Sequence, residues 1–250
     1  MKSVSFLLLT LLLSTTDVAC SSDNDIWIKA NTAYDQNYFD LAIEGYRLLL
    51  EHGLRQPAVY YNLGSAYFKN NQVGMAIAAY RHCLKLNPSF KLAKENLNYV
   101  RKFTIDKVEK RDKGFLLDIW YGLAGILPAE GHFIFTIAVF WGLCLVITFL
   151  LFGLGKKELL IYLLILLAVV FIFEAVITNF VIDETVNTRW GVITVASAEL
   201  REGPGEDFGK IFTGHEGLEF KVLSRRQGYY LVELENGLKG WILGATLTEI

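Results

Sequence analysis

The spacing of apolar and polar positions divides the chain into three stretches of different character. Residues 23–103 place apolar side chains at helical intervals among charged ones, residues 131–182 are almost continuously apolar, and apolar and polar positions alternate after Trp190. These patterns predict amphipathic helices, membrane spans and half-buried strands, respectively. We therefore expect a multidomain membrane protein with an all-α domain, two transmembrane helices and a C-terminal all-β barrel.

The apolar stretch is predicted to form two transmembrane helices, 131–153 and 159–182, joined by a short loop. Each is longer than the roughly 20 residues that cross a bilayer core. The first lacks acidic and basic residues, and the second contains only Glu174. A two-pass hairpin embeds both spans in the lipid bilayer and leaves the preceding and following sequences on the same side of the membrane.

Glu174 is unusual because a carboxylate inside hydrocarbon is costly and normally faces a polar partner. Folding the hairpin about its loop brings Thr136 and His132 to the level of Glu174. We expect this membrane polar contact to join Glu174 to Thr136 or His132, or to the span of a neighbouring protein. An anchor for helix packing or for a partner subunit, and a proton or ion relay, are the alternative roles.

Residues 114–128 are predicted to form an interfacial helix before the first span. The segment is apolar and aromatic but too short to cross a bilayer, and Pro128 ends it. Trp120 and Tyr121 suit the headgroup level.

Residues 1–20 have the organisation of a signal peptide. Lys2 precedes a short apolar run, and a polar segment leads to Cys20. Ordinary cleavage, a retained anchor and lipidation of Cys20 remain open, although Asp17 stands where a lipobox has an aliphatic residue. Basic residues before the first span favour a cytoplasmic location for the N-terminal domain. A chain that is already being exported, however, translocates a whole domain across the membrane largely regardless of its charge. We expect both terminal domains to be outside the cytoplasm.

A period of 34 residues marks the region before the membrane. Five residues recur at this interval: Asn37 as Asn71, Ala42 as Ala76, Ile43 as Ile77, Tyr46 as Tyr80 and Leu50 as Leu84. This period is typical of tetratricopeptide repeats, each a helix–turn–helix unit. The copy from Pro57 to Pro88 resembles the family pattern closely. We expect residues 23–103 to contain two repeats and a capping helix.

The resemblance to tetratricopeptide repeats implies a concave groove that binds extended peptides or partner helices. The groove positions carried over to this chain are Trp27, Asn31, Tyr34, Tyr61, Ser65, Phe68, Lys69, Glu95 and Tyr99. The alternative for Tyr61 and Phe68 is that they pack under the first repeat.

The C-terminal residues 190–250 resemble bacterial SH3 domains. The resemblance is carried by the Leu200–Gly205 turn, LREGPG, and by a closing hairpin that ends in Gly-Trp-Ile at Ile242. It implies a small SH3-like barrel that binds peptides or cell-wall components, with a groove at Arg201, Glu206, Asp207, Tyr229 and Trp241. As alternatives, Trp241 and Tyr230 belong to the core and Arg201 stabilises its own loop.

Charge and candidate chemistry argue against several functions. The net charge of −2 provides no field that would recruit nucleic acid. The three cysteines Cys20, Cys83 and Cys144 form no disulfide framework, and the four histidines lack the spacing of metal ligands. We find no phosphate-binding loop or nucleophile elbow. We therefore expect no enzyme activity, no catalytic residues, no cofactor and no metal.

The order of these segments resembles the BatE-type members of the Bacteroides aerotolerance (Bat) family. The resemblance implies a two-pass protein of a bacterial inner membrane with both terminal domains periplasmic. It also implies partners among membrane or periplasmic proteins, namely von Willebrand A-type Bat proteins and a MoxR-type ATPase. The expected role is a non-catalytic adaptor in an aerotolerance or envelope stress complex. A sensor or anchor that binds peptidoglycan, and a chaperone of exported proteins, are the alternatives.

Overall fold

The computed structural model describes residues 22–108, 114–124, 126–127, 129–183 and 188–250. The expected signal peptide and Cys20 lie outside these residues. The chain divides into two compact units. One contains the residues up to 109 together with those from 189 onward, and the other contains residues 110–188.

The N-terminal part of the first unit is helical. Its helices are α1 (22–35), α2 (Phe39–Glu51), α3 (Pro57–Lys69), α4 (Val73–Leu86), α5 (Lys91–Val100) and a 3-10 turn at Arg101–Phe103. Pro57 occupies the first helical position of α3, where its missing N–H costs nothing. Helix α4 ends two residues before Pro88, whose ring cannot continue a helix.

The 34-residue period reflects repeated backbone geometry. Asn37 lies between α1 and α2 and has φ 64°, and Asn71 lies between α3 and α4 and has φ 59°. Asparagine tolerates this left-handed conformation better than most residues because its short polar side chain bonds locally. Each repeat therefore reverses direction at the same asparagine.

The helical core is built from the repeated aromatic and small positions. Tyr46 and Tyr80 are almost fully buried, as are Leu49 and Ile77. A Cβ at Gly64 would lie 2.9 Å from the Tyr80 ring, so α3 and α4 approach closely only because residue 64 is glycine. On α5 the buried positions are Ala93, Leu97 and Val100, whereas Leu92 is exposed. The burial follows the i, i+4, i+7 spacing from Ala93, and Leu92 falls beside that stripe.

The C-terminal part of the first unit is an antiparallel sheet. Its strands are β1 (Arg189–Ile193), β2 (Ser197–Arg201), β3 (Lys210–His215), β4 (Glu219–Arg226), β5 (Tyr229–Glu233), β6 (Lys239–Leu243) and β7 (Leu247–Glu249). Their order is β3-β2-β6-β5-β4-β1-β7. Alternate residues fill the interior, with Leu200, Phe220, Val232 and Ile242 fully buried.

The sheet packs against the repeats within this unit. Strands β1 and β7 contact α4, and Val192 and Ile250 belong to the hydrophobic core of the helices. The backbones also approach closely, because a Cβ at Gly74 would clash with the Ile193 carbonyl oxygen. The repeats and the sheet therefore form one packed body, although each has its own buried cluster.

In its described residues the second unit contains three helices. They are α6 (Phe115–Ala124), α7 (Ala129–Leu151) and α8 (Lys157–Ile182). Within them, Gly131–Leu151 and Lys157–Ile182 are long and apolar enough to cross a membrane, and α7 packs along α8. Helix α6 occupies the earlier part of the expected 114–128 range. The Trp120 ring, expected at the headgroup level, packs edge-on against Phe173, with 5.8 Å between the ring centroids.

Candidate interaction surfaces

A polar pocket opens on the A-helix side of the repeats. It has a volume of about 390 Å³ and receives side chains from α1, α2 and α3: Asn31, Tyr34, Asp35, Tyr46, Tyr61, Asn62 and Ser65. Four of these residues, Asn31, Tyr34, Tyr61 and Ser65, were predicted from the tetratricopeptide pattern. The structure therefore brings part of the predicted groove together around one cavity.

Hydrogen bonds across the first repeat hold the floor of the pocket. The Tyr46 hydroxyl donates to Asn31 Oδ1 at 2.7 Å, and Asn62 Nδ2 donates to the same oxygen at 3.1 Å. Burial raises the pKa of Tyr46 to about 12, so its phenol keeps its proton near neutral pH. Three helices are thus joined through one amide oxygen, which fixes the orientation of Asn31.

A second network holds the other wall. Ser65 Oγ lies 3.0 Å from the Tyr80 hydroxyl, and Asn96 Nδ2 donates to the hydroxyls of Tyr61 and Tyr80 at 3.3 Å. Burial raises the pKa of Tyr80 to about 12. Residues of α3, α4 and α5 therefore position Tyr61 before any ligand binds.

The remaining predicted groove residues lie outside this pocket. Trp27 packs edge-on against Tyr46, with centroids 5.9 Å apart. Phe68 contacts the rings of Tyr99 and Phe103 at 5.8 and 5.3 Å. Lys69 is exposed at the end of α3. Glu95 is also exposed and lies 3.8 Å from the Lys91 ammonium.

Tyr61 and Phe68 pack against other aromatic residues, as the alternative predicted, but their neighbours differ from those that it named. Tyr61 stacks on Phe90 at 5.3 Å, and Phe68 packs on Tyr99 and Phe103, all of which follow the second repeat. Both rings thus contact the capping region rather than lying under the first repeat. The reason is that α5 continues the helical stack and covers the open side of α3.

Sequence reasoning missed Asp35, Tyr46 and Asn62 as lining residues. Tyr46 occupies a repeated B-helix position, and its hydroxyl reaches the pocket. Asn62 and Asp35 each follow a predicted groove residue by one position. The sequence signal for these two lining residues was that they adjoin Tyr61 and Tyr34. It is a weak signal, because the side chains of neighbouring helical residues point in directions about 100° apart and usually face different surroundings.

On the sheet, Arg201 braces its own loop, as one of the alternatives predicted. Its guanidinium donates to the carbonyl oxygens of Glu206 and Phe208 at 2.6 and 2.9 Å, and to the Glu199 carboxylate at 2.6 Å. The side chains of Glu206 and Asp207 are exposed beside it. The predicted groove therefore begins at a loop that is already ordered.

Trp241 and Tyr230 have different environments. Tyr230 is buried within the sheet, whereas Trp241 is half-buried on the opposite face of its strand from Ile242. Trp241 lies opposite Arg201 on β2 and opposite Leu231 on β5. The core alternative is thus right for Tyr230 and wrong for Trp241, because the period of two places Trp241 on the outer face. Tyr229, half-buried, also alternates away from the interior.

A buried ion-pair cluster joins the repeats to the sheet. The Glu219 carboxylate on β4 accepts hydrogen bonds from Arg81 on α4 and from Arg101, whose Nε and Nη2 atoms lie 2.6 and 2.9 Å away. Burial raises the pKa of Glu219, but the hydrogen bonds from Arg101 and the two positive charges outweigh it, and the net pKa is lowered. The Arg81 guanidinium also covers the Trp190 ring at 3.9 Å.

A second polar pair supports the same contact. His215 Nδ1 lies 2.9 Å from an oxygen of the Asp106 carboxylate, and the other oxygen accepts a hydrogen bond from the His215 backbone N–H. Glu216 accepts a hydrogen bond from the Gly74 backbone N–H at 2.8 Å. None of these residues was predicted as functional, because their partners are distant in the sequence.

In the second unit, Glu174 pairs with His132. Oε1 of Glu174 lies 2.6 Å from His132 Nδ1, and both side chains are buried. His132 Nε2 lies 3.1 Å from the Ala124 carbonyl oxygen. Thr136 donates to the His132 carbonyl oxygen at 2.9 Å, and its hydroxyl lies 3.2 Å from that of Thr178. These four side chains of α7 and α8 thus form one cluster.

Comparison with known families agrees with the geometry of the first unit. Residues 57–90 match the tetratricopeptide repeat family, and residues 196–248 match the bacterial SH3 domain family. No curated protein matches the chain significantly. These two domain types indicate protein–protein interaction or peptidoglycan binding.

Proposed function

We propose that the protein is a non-catalytic adaptor, anchored in a bacterial inner membrane by α7 and α8, with both terminal domains in the periplasm. One observation carries the proposal: the repeats and the SH3 domain are packed into one body that keeps two separate surfaces available. The SH3 domain covers α4, a B helix, while the pocket receives its side chains from α1, α2 and α3. One body can therefore hold two partners at a defined spacing.

The packing of the repeats on the SH3 domain supports a two-pass topology. Two domains that share a core have to be on the same side of the membrane, and an even number of spans between them satisfies this condition. The buried Glu219 cluster supports the same arrangement, because it cannot form across a bilayer.

Cysteine labelling tests this topology. Lys69→Cys and Lys239→Cys place thiols at exposed positions of the two domains, and Lys156→Cys places one in the loop between α7 and α8. In intact spheroplasts, a membrane-impermeant maleimide is expected to label the first two variants and to spare the third until the membrane is permeabilised. Labelling of positions 69 and 239 from opposite sides would contradict the proposal.

The cellular role that we propose is that of a scaffold in a Bat-type complex beside von Willebrand A-type proteins. It rests on the resemblance of the segment order and on the two interaction domains. A photocrosslinking residue at Tyr61 is expected to capture such a protein in native membranes, whereas the same residue at Lys94, which is exposed on α5, is expected not to. Equal capture at both positions, or none at Tyr61, would contradict this role.

Peptidoglycan binding is the second candidate, favoured by the half-buried Trp241 and Tyr229 on the outer face of the sheet. Sacculus pull-down should use the full chain in detergent, because an isolated 189–250 fragment would expose Trp190 and Glu219, which normally contact the repeats. Retention that is lost in Trp241→Ala but kept in Tyr61→Ala would favour the wall-binding function. No retention would favour the adaptor.

A further inference from the structure

We infer that the pocket of the repeats accepts a cationic side chain, a lysine or arginine of an extended partner polypeptide. This inference rests on the proposed function, because it assumes that the repeats hold a polypeptide. It adds the chemistry of the residue that is recognised.

The walls of the pocket are rich in tyrosine, with the rings of Tyr34 and Tyr61 half-buried and that of Tyr46 only 1% exposed, so that Tyr46 contributes its hydroxyl rather than its ring face. Tyr34, Tyr46 and Tyr61 contribute phenol groups from three different helices. Burial raises the pKa of Tyr34 and of Tyr46, so these phenols remain neutral at physiological pH. Neutral aromatic faces attract ammonium and guanidinium groups through their quadrupoles, and the attraction grows as the cation loses water.

The formal charge of the residues that line the pocket is negative. Of the described residues that line it, Asp35 alone carries a formal charge at pH 7. Within the described part of the chain, no lysine, arginine or histidine forms an ion pair with this carboxylate. Lys69 lies one turn beyond Ser65 on α3 and is not among the lining residues. A cationic ligand would therefore find an available counter-charge, whereas a carboxylate ligand would meet repulsion.

The position of Asp35 conflicts with the stability of its own helix. Asp35 is the last helical residue of α1, and a negative side chain is unfavourable at the C-terminal, negative end of a helix dipole. Residues that break a local stability rule are expected at functional sites. A bound cation would satisfy both the carboxylate and the helix end.

The pocket is also ordered without a ligand. The Asn31–Tyr46–Asn62 and Ser65–Tyr80–Asn96 networks fix its floor and wall through distances of 2.7–3.3 Å. A pre-organised site loses less conformational entropy when it binds. The polar groups that remain can orient the backbone of an extended peptide.

The test uses three fluorescent N-acetylated heptapeptides, Ser-Ala-Ser-X-Ser-Ala-Ser amide, in which X is Lys, Gln or Glu. Fluorescence anisotropy with the full chain in detergent micelles gives a Kd for each. We expect the Lys peptide to bind about tenfold more tightly than the Gln peptide, equivalent to about 1.4 kcal/mol, and the Glu peptide to bind most weakly. The Lys preference should shrink as salt rises, because the pocket is open to solvent.

The decisive variant is Asp35→Asn, with Glu51→Gln as its matched control. Glu51 is an exposed carboxylate at the last position of α2, so it shares the unfavourable helix-end location but does not line the pocket. Asp35→Asn is expected to abolish the Lys preference while leaving the thermal midpoint unchanged or higher. Glu51→Gln is expected to have the same effect on stability and to retain the preference.

Three outcomes would overturn the inference: equal Kd values for the Lys and Glu peptides, an undiminished Lys preference in Asp35→Asn, or an equal loss in Glu51→Gln. Failure of the proposed function has a different signature, namely no site-dependent crosslink at Tyr61 in native membranes. A crosslinked partner together with equal peptide affinities would leave the adaptor role standing and reject the cationic specificity.

Discussion

At the scale of single residues, Glu219 joins the two domains through buried ion pairs. Its carboxylate faces Arg81 and Arg101, both of which come from the helical region. Burial lowers the pKa of Arg81, yet the residue remains a cation because its ordinary pKa is far above neutrality. Removing the carboxylate would leave two guanidinium groups close together, with the weaker influence of Glu235 as their remaining counter-charge.

We expect Glu219→Gln to destabilise the protein by about 3–5 kcal/mol, the typical cost of breaking a buried ion pair from one side. Thermal unfolding of the full chain in detergent, followed by circular dichroism, measures the change. Glu202→Gln alters an exposed carboxylate in the loop that follows β2 and serves as the control. Equal midpoints for the two variants would contradict a structural role for the cluster.

A second residue-scale prediction concerns the turn of the second repeat. Asn71 has φ 59°, and a β-branched residue is strained in that conformation. Asn71→Val should therefore lower the free energy of unfolding by about 1–3 kcal/mol, whereas Asn71→Gly should be nearly neutral. Chemical denaturation distinguishes the two variants. Similar losses for Val and Gly would show that the Asn71 side chain matters more than its backbone.

At the scale of elements, α7 and α8 depend on a pair of polar residues in an otherwise apolar contact. His132 and Glu174 lie 2.6 Å apart, one on each helix. In the bilayer location that we propose for these helices there is no water to replace a missing partner, so a lone polar group would be costly. The pair therefore fixes the position of one helix along the other, which apolar packing alone would not do.

We expect Glu174→Leu to destabilise the helix pair by about 1–3 kcal/mol, because His132 would lose its partner. The double variant His132→Leu/Glu174→Leu should recover part of this loss, since both polar groups are then removed. Thermal denaturation in detergent measures both variants. If the double variant is no more stable than Glu174→Leu, then Glu174 acts through another contact, such as a partner subunit.

At the scale of the whole molecule, the contact between the repeats and the SH3 domain makes stability depend on pH. His82 on α4 stacks on Tyr60, and burial followed by the nearby Lys85 charge lowers its pKa to about 4. In the unfolded chain a histidine has a pKa near 6.5. Between pH 4 and pH 6.5 the unfolded chain therefore binds more protons at this residue than the folded chain does. The contribution of neutral His82 is complete above about pH 6.5 and is lost as the pH falls towards 4.

We accordingly expect the thermal midpoint of the full chain to fall between pH 6.5 and 4, with a smaller fall in His82→Gln. Glu219 adds a further loss below its ordinary pKa of 4.5, because its folded-state pKa is lowered. Midpoints measured at half-unit pH intervals separate the two contributions. An identical profile for His82→Gln and the unchanged chain would show that this histidine does not limit acid stability.

Much of the architecture could be predicted from local patterns. The 34-residue period identified the repeats, and the turn sequences identified the SH3 domain, because both features depend on neighbouring residues. The charge-free run before Gly153 and the run containing Glu174 located α7 and α8 closely. The candidate site was only partly predicted. Asn31 and Tyr61 followed from the family pattern, but Asp35 and Asn62 line the pocket because the helices cross at a particular angle.

The sequence by itself determined the elements and their order, since helical period, alternation and turn residues act over a few positions. Only the tertiary structure decided which surfaces are covered and which are free. The contact of Glu219 with Arg101 joins residues more than a hundred positions apart, and no local pattern encodes such a pair. Long-range packing of α4 against β1 and β7 therefore fixed how the two domains are joined, and it left the pocket formed by α1, α2 and α3 uncovered.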